Sequence, residues 1–178
     1  MDFPKLETEH LILDAPKEAD LGDITKILNN EIYAKNTINI PFPYSIDSAK
    51  FWLNLSKNGF KNDDQYIFAI RLKNDQKIIG GIDLGIDKIF NKAELGYWLD
   101  QNCWNQGFAT EAVIKVLEFG FENLKLKRIF ATHFDFNPAS GKVLEKAGMK
   151  KEGELTAHTK KENNYQNHIL YAIVNENL

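Results

Sequence analysis

The chain has 178 residues, with 22 Lys or Arg against 25 Asp or Glu and a net charge of −3. With 43% hydrophobic and 26% charged residues, the composition is typical of a globular domain and excludes collagen, coiled-coil and disordered classes. The length predicts a single domain over residues 1–178. The charge balance does not indicate direct nucleic-acid binding. No signal-peptide pattern and no apolar run of about 18 residues is present, so we expect a cytoplasmic protein without a membrane segment.

The hydrophobic pattern predicts, in chain order, a strand, two helices, three strands, a helix, a strand, a helix and two strands. The predicted strands cover residues 10–14, 66–72, 77–86, 93–99, 129–136, 150–155 and 168–174. The predicted helices cover residues 18–30, a segment from Ser45 or Asp47 to about Asn58, and residues 107–124 and 139–147. This order predicts one α/β domain in which helices cover both faces of a sheet.

The most informative stretch, residues 93–112, runs from a predicted strand through a short loop into the longest predicted helix. Gly107 and Ala109 lie where the loop becomes the helix. The first N–H groups of a helix lack internal partners and lie at the positive end of its dipole. Small residues there allow a phosphate to approach those groups. Because a glycine at such a turn is more often purely structural, this stretch alone leaves both interpretations open.

A second stretch, residues 137–149, has Asn137 at a helix cap and Pro138 in the first turn. Taken together, the two stretches resemble the GNAT superfamily of acetyl-coenzyme A-dependent N-acetyltransferases, particularly the branch with the ribosomal-protein alanine N-acetyltransferases. The similar motifs are Ala-Glu-Leu-Gly-Tyr-Trp-Leu at 93–99, Trp-Asn-Gln-Gly-Phe-Ala-Thr-Glu-Ala at 104–112, Asn-Pro-Ala-Ser at 137–140 and Val-Leu-Glu-Lys-Ala-Gly at 143–148. Residues 6–13 and 170–173 are also similar to that branch. The resemblance implies a GNAT-like α+β domain with a mixed, mostly antiparallel central sheet flanked by helices.

The resemblance also implies how the chain binds acetyl-coenzyme A. The backbone of Leu99 would pair with the pantetheine arm, and Asn137 would form a hydrogen bond to it. The pyrophosphate would be held by backbone amides of the loop and helix start, namely Asn105, Gln106, Gly107, Phe108, Ala109 and Thr110. No metal is implied.

For catalysis, the resemblance places Glu94 at the acceptor amine and Ser140 near the thioester sulfur. Many GNAT enzymes have a tyrosine general acid where this chain has Leu144. We therefore expect Glu94 to accept the amine proton and Ser140 to assist the departing thiolate. The alternative is a purely structural role, in which Glu94 is a solvated strand residue and Ser140 only satisfies the free hydrogen-bonding groups of the helix terminus.

The acceptor implied by the resemblance is a primary amine, most simply a protein N-terminal α-amine. An α-amine with a pKa of ~7.7–8.0 is appreciably neutral at pH 7, whereas a lysine amine near ~10.4 is not. Phe42, Tyr44 and Trp52 are candidate acceptor contacts, although aromatic residues at such spacings are more often core. The alternatives are a polyamine or aminoglycoside acceptor, and an acyl-coenzyme A binding module without turnover. The sequence leaves monomer and homodimer open.

Cysteine and histidine are two further residue types that could carry chemistry. Cys103 could be an acetyl-carrying nucleophile, but no arrangement in the sequence identifies a base for it. The four histidines are not spaced as a metal site. His133, in a predicted strand near the second motif, is a minor catalytic candidate.

Overall fold

The computed structural model describes residues 2–176 and 178. Eight strands form one sheet in the order β1-β2-β3-β4-β5-β6-β8-β7. They are β1 (Leu6–Glu7), β2 (Leu11–Asp14), β3 (Gln65–Leu72), β4 (Ile78–Asp87), β5 (Lys92–Leu99), β6 (Arg128–Phe134), β7 (Lys150–Lys161) and β8 (Asn164–Val174). Every neighbouring pair is antiparallel except β5 and β6, which are parallel. The expected mixed, mostly antiparallel sheet is confirmed.

Helices cover both faces of this sheet, as expected. They are α1 (Leu21–Leu28), α2 (Glu31–Asn36), α3 (Ile46–Asn62), α4 (Phe108–Glu122) and α5 (Pro138–Lys146). The apolar stripe of α4 enters the larger core cluster on one face, while α1 and α3 pack in a smaller cluster on the other. In the described part of the chain, no helix is long and apolar enough to cross a membrane.

Alternate residues of β5 face opposite sides of the sheet. Leu95 and Leu99 are buried in the larger cluster with α4, whereas Trp98 belongs to the smaller cluster with α1 and α3. Because side chains alternate along a strand, Tyr97 lies on the α4 face, and Glu94 lies on the α3 face. This alternation decides which side chains of the strand can act together.

Strands β5 and β6 separate after a short paired region. They pair only at Lys92↔Arg128, Ala93↔Ile129 and Glu94↔Phe130. Both strands continue beyond these positions, β5 to Leu99 and β6 to Phe134. A gap therefore opens in the middle of the sheet, bordered by backbone N–H and C=O groups that face no neighbouring strand. Such groups are open to an extended ligand.

The predicted helix over residues 18–30 is helical as far as Leu28, two residues short of the predicted end, and the helix that follows it was not predicted. The structure has a short 3₁₀-helix at Glu18–Asp20, then α1, and then the separate helix α2. Asn30 does not end a helix. Its Oδ1 accepts a hydrogen bond from the Ile32 amide at 3.1 Å, so Asn30 is the N-cap of α2.

Three other elements are longer than predicted. Helix α3 continues through Gly59, which allows close packing on β3, because a Cβ there would lie 2.7 Å from Gln65 Cβ. The last residue of α3 is Asn62, and the helix is ended by the C-cap residue Asp63, which is left-handed with φ 55°. Strands β7 and β8 extend into a long hairpin that is paired as far as Lys161↔Asn164.

A buried ion-pair network joins the start of the chain to the sheet. The Arg71 side chain on β3 donates to Asp14 Oδ1 at 2.6 Å and to both carboxylate oxygens of Asp20 at 2.7 Å. Arg71 and Asp20 are 4% and 6% exposed. Removing one partner of such a network leaves an uncompensated buried charge, so these contacts fix the 3₁₀-helix and α1 against β2 and β3.

Candidate active site

The start of α4 forms an open backbone cradle. Gly107 is the N-cap residue with φ +88°, and a Cβ there would meet nothing within 4 Å. The first hydrogen bond at this end of the helix is from the Glu111 amide to the Gly107 carbonyl, at 3.0 Å. The amides of Phe108, Ala109 and Thr110 therefore have no acceptor within the helix, and they lie at its positive end. This geometry suits a pyrophosphate.

The loop before the cradle is fastened to the end of β5. The carbonyl of Leu99 accepts hydrogen bonds from Trp104 Nε1 at 2.8 Å and from the Tyr33 hydroxyl at 3.1 Å. Gln106 Nε2 donates to the Asn102 carbonyl at 2.8 Å, while Asn105 is exposed with φ 60°. Because its carbonyl is already bonded, Leu99 can offer a ligand only its N–H group.

Glu111 in the first turn of α4 ties the cradle to β2. Its carboxylate accepts hydrogen bonds from the His10 amide at 2.8 Å and the His10 ring at 3.0 Å. Burial raises the pKa of Glu111, but hydrogen bonds from Thr8 and His10 together outweigh burial and lower it. Glu111 is therefore an ionised anchor of the helix start.

Helix α5 begins at Asn137, as predicted, with Pro138 in its first turn, but the Asn137 side chain makes no capping hydrogen bond. The side-chain amide of Asn137 is thus not committed to the helix and is available to a ligand.

Ser140, in the first turn of α5, forms a pair with Tyr97 of β5. The two hydroxyl oxygens are 2.8 Å apart, and the Tyr97 hydroxyl also donates to the Ser140 carbonyl at 3.3 Å. Burial raises the pKa of Tyr97 to about 12, against the opposing effect of the Ser140 hydrogen bond. The phenol therefore stays protonated at neutral pH and can donate. The sequence interpretation missed Tyr97, although the alternation of β5 relative to Leu95 and Leu99 could have placed it on this face.

Two carboxyl groups lie on the opposite face of β4 and β5. Glu94 is exposed on β5. Asp83 of β4 pairs with Gly96, two residues beyond Glu94, and its Oδ2 accepts a hydrogen bond from Gln65 Nε2 at 3.0 Å. Burial raises the pKa of Asp83 to about 6, with a further rise from the charge of Glu94 and an opposing effect of Gln65. The sequence analysis did not single out Asp83, because only the register of the hairpin places it near Glu94.

The gap between β5 and β6 therefore lies between two chemically different faces. On one side are the hydroxyls of Tyr97 and Ser140 and the cradle of α4. On the other side are the carboxyls of Glu94 and Asp83. A reacting group in the gap could lose a leaving group towards the hydroxyls while a nucleophile approaches from the carboxyl face.

The three aromatic acceptor candidates have different positions. Phe42 is 51% exposed, whereas Tyr44 is 5% exposed and packs in the smaller core cluster. Trp52 on α3 is partly buried, with its ring 5.9 Å from that of Trp98 in an edge-to-face contact. Trp52 therefore offers surface on the carboxyl face, Tyr44 supports that surface from inside, and Phe42 is an exposed residue of the loop before α3.

The other candidates take no evident part in this arrangement. Burial raises the pKa of the Cys103 thiol, which disfavours the reactive thiolate. His133 is buried on the α5 side with Nδ1 2.7 Å from the Phe134 carbonyl, and within the described residues its Nε2 has no hydrogen-bond partner. A Cβ on Gly141 would lie 2.7 Å from that Nε2, so the nitrogen faces the backbone of α5.

Comparison with known proteins agrees with this arrangement. The family model for the acetyltransferase (GNAT) domain matches residues 10–150. An uncharacterized N-acetyltransferase of Bacillus subtilis, YoaA, is 31% identical over 175 residues, which are 95% of this chain and 93% of that protein. Among solved structures, a ribosomal-protein-S5-alanine acetyltransferase from Vibrio fischeri has a TM-score of 0.85 at 25% identity, with 97% of each chain covered. The microcin C7 self-immunity acetyltransferase MccE, in complex with acetyl-coenzyme A and AMP, has a TM-score of 0.85 at 22% identity, with 94% and 93% covered.

The chain therefore belongs to the GNAT acetyltransferase family. It is an N-acetyltransferase that uses acetyl-coenzyme A as its acetyl donor. The backbone cradle and the split sheet fit that co-substrate, because they offer amides to a pyrophosphate and unpaired strand backbone to an extended arm.

Proposed function

We propose that the chain transfers an acetyl group to the N-terminal α-amine of a protein. The observation that carries the proposal is an open cavity of about 510 Å³ between α3 and strands β3 and β4. Leu55, Asn58 and Asn62 of α3 line one side, and Gln65 and Gly85 line the other. Gly85 is paired with Glu94, so the cavity lies one strand away from the carboxyl that borders the amine end of the site.

An open cavity with apolar and amide groups, and with the Asp64 carboxylate at its edge, suits a peptide that continues beyond its terminal amine. Phe51 adds apolar surface next to this cavity, since it lies one helical turn before Leu55 on α3 and is 70% exposed. The likeness to a ribosomal-protein-alanine acetyltransferase at 25% identity also supports a protein terminus as acceptor.

On this proposal, the amides from Asn105 to Thr110 hold the pyrophosphate, and the Leu99 N–H and Asn137 side chain orient the pantetheine arm. The thioester lies in the gap. The amine loses a proton to a carboxylate, for which Glu94 is the candidate from sequence, and its nitrogen attacks the thioester carbon. Backbone amides bordering the gap stabilise the oxyanion. As the carbon–sulfur bond breaks, Ser140 donates a hydrogen bond or proton to the thiolate.

The chemistry favours an α-amine over a lysine side chain. Their pKa values differ by ~2.5 units, so at neutral pH the neutral fraction of an α-amine is about 10²-fold higher. For a lysine acceptor, the site would need a base that removes the more tightly held proton of the ε-ammonium, and the exposed Glu94 is not such a base.

The proposal predicts that peptides beginning with free Ala or Ser are acetylated about 10²-fold faster than the same peptides with a blocked terminus and an internal Lys. Thiol release from acetyl-coenzyme A measures the rate, and mass spectrometry locates the acetyl group. Spermidine and an aminoglycoside complete the panel. Equal rates for the two peptides, or turnover confined to the small amines, would assign the enzyme to a different acceptor class. Thiol release with none of them would favour a binding module.

A further inference from the structure

Asp83 has a partly buried carboxyl group whose presence is not explained by its contacts within the fold. Within the described residues, no cationic side chain contacts it, and its one side-chain hydrogen bond comes from the neutral amide of Gln65. An ionised carboxyl with little solvation normally has a charged or well-bonded partner, because removing it from water is unfavourable. A purely structural role would be met as well by an asparagine.

The register of β4 and β5 directs Asp83 to the acceptor side of the gap. Asp83 is paired with Gly96, and Asp83 Oδ1 lies 3.1 Å from the position that a Cβ on Gly96 would take. Since Gly96 has no side chain, only strand backbone separates Asp83 from the gap. Glu94 lies one diagonal position away on the same face, within reach of a shared ligand.

We propose that Asp83 is the group that accepts the proton of the acceptor ammonium, while Glu94 positions the ammonium beside it. The inference rests on the proposed function and assigns the proton acceptor within the same site. The N–H bond breaks, its electron pair stays on nitrogen, and an O–H bond forms on Asp83. The nitrogen then bonds to the thioester carbon, the carbon–sulfur pair leaves on sulfur, and sulfur takes a proton from Ser140. The second proton that the nitrogen loses as the amide forms passes to water, and water returns a proton to Ser140. Asp83 returns its proton to water after product release.

The surroundings of Asp83 favour this role. Burial makes its proton harder to lose, the hydrogen bond of Gln65 opposes this, and the charge of Glu94 adds a smaller effect in the same direction as burial. The residues of α3 that face the sheet here, Trp52, Ser56 and Gly59, are uncharged, and Lys92 lies instead 3.8 Å from Asp87. With a pKa of about 6, Asp83 is ionised at pH 7.5 and yet more basic than an ordinary carboxylate. Such a group is better matched to accept a proton.

The test is the pH dependence of kcat/KM with an Ala-terminated peptide for wild type, Asp83→Asn and Glu94→Gln. For wild type, we expect kcat/KM to fall on the acidic side as Asp83 is protonated near pH 6. This acidic limb should be separate from the change caused by ionisation of the amine itself near ~8. Asp83→Asn should lower kcat by ~10²-fold or more and lose the acidic limb. Glu94→Gln should raise the peptide KM and keep the limb, displaced to lower pH because the neighbouring negative charge is gone. Asp87→Asn, on the same strand and face, is the matched control and should keep the wild-type profile.

The opposite pattern overturns the inference: loss of the limb in Glu94→Gln, together with a normal profile in Asp83→Asn, identifies Glu94 as the base. Wild-type inactivity with every α-amine peptide would instead be a failure of the proposed function. Calorimetric binding of acetyl-coenzyme A checks that each variant retains its co-substrate site.

A second measurement does not depend on turnover. Because the folded-state pKa of Asp83 is raised from 3.8 to about 6, the folded protein binds more protons than the unfolded chain between about pH 4 and pH 6. Its stability therefore falls as pH rises through that window. Asp83→Asn removes this loss, so its Tm should exceed that of wild type at pH 8 by more than at pH 4.5. An equal Tm difference at both pH values would mean that Asp83 is an ordinary solvated carboxyl and would overturn the inference.

Discussion

At the scale of single residues, the leaving-group side of the site depends on a hydroxyl pair. The position at which many GNAT enzymes have a tyrosine is Leu144, which is fully buried in the larger core cluster and faces away from solvent. Tyr97 instead brings a phenol from β5 to within 2.8 Å of the Ser140 hydroxyl. The pair can therefore supply from two elements the hydrogen-bond donation that one helix residue supplies elsewhere.

Ser140→Ala is expected to lower kcat by ~10²–10⁴-fold if Ser140 donates to the departing thiolate. Raising the pH should not restore the rate, because the defect lies at sulfur and not in the ionisation of the amine. Tyr97→Phe should give a smaller loss with unchanged acetyl-coenzyme A affinity, as measured by calorimetry. The control is Tyr66→Phe on β3, which removes a phenol hydroxyl that is hydrogen-bonded to Asp63. If Ser140→Ala and Tyr97→Phe both turn over normally, the thiolate departs without help from this pair.

At the scale of elements, the cofactor side is built by one junction, where β5 leads through a short loop into α4. Its groups are backbone amides, so its function depends on the conformation of Gly107 and on open space in front of it. Both are present, since Gly107 has φ +88° and a Cβ there would meet no atom within 4 Å. A substitution at this residue therefore tests the cradle without disturbing the packing of the core.

Gly107→Glu should abolish acetyl-coenzyme A binding in calorimetry, because it places bulk and negative charge at the pyrophosphate. Gly148→Glu is a matched control, since Gly148 has φ +89° with nothing within 4 Å of an added Cβ, at the other end of α5. Both variants carry the same left-handed backbone penalty of about 1–2 kcal/mol. Equal affinity of the two variants for acetyl-coenzyme A would remove the cradle from the mechanism.

The sequence could predict elements whose patterns are local. The apolar stripe of α4 and the strands β3 to β6 were recognised because their periodicity extends over several residues. Helix α2 was missed because it has only six residues, and tertiary contacts such as the hydrogen bond from Tyr33 to Leu99 hold it in place. Isolated helices of this length are not stable by propensity alone.

The same distinction applies to the site. The cradle lies in one continuous motif and could be predicted. Asp83 and Glu94 become neighbours only through the register of β4 and β5, and Tyr97 meets Ser140 across 43 positions of sequence. Pairing of this kind depends on how strands align and on which face each residue occupies, and the sequence alone does not determine either with enough certainty to identify the pairs.

At the scale of the whole molecule, α2 connects the C-terminal β7–β8 hairpin to the end of β5 at the site. Its Tyr33 hydroxyl donates to the Leu99 carbonyl at the end of β5, next to the cofactor loop. At its C-terminal end, the Lys161 ammonium of the β7–β8 hairpin donates to the Ala34 carbonyl and, at 2.7 Å, to the Thr37 carbonyl. A cation at this end is also favoured by the helix dipole. The C-terminal hairpin thus fixes the segment that leads to Phe42.

Lys161→Met should therefore raise the KM for an α-amine peptide several-fold and leave acetyl-coenzyme A affinity unchanged. Methionine keeps most of the apolar stem but removes the donor, so the carbonyl end of α2 loses its tie and the 37–45 segment becomes less ordered. Burial lowers the pKa of Lys161, which means that deprotonation at high pH should weaken the same tie in the wild-type protein and raise its peptide KM. Lys160→Met is the matched control, because the Lys160 ammonium lies 6.0 Å over the Tyr165 ring instead of at α2. A peptide KM that is the same in both variants would show that the C-terminal hairpin does not order the 37–45 segment for acceptor binding.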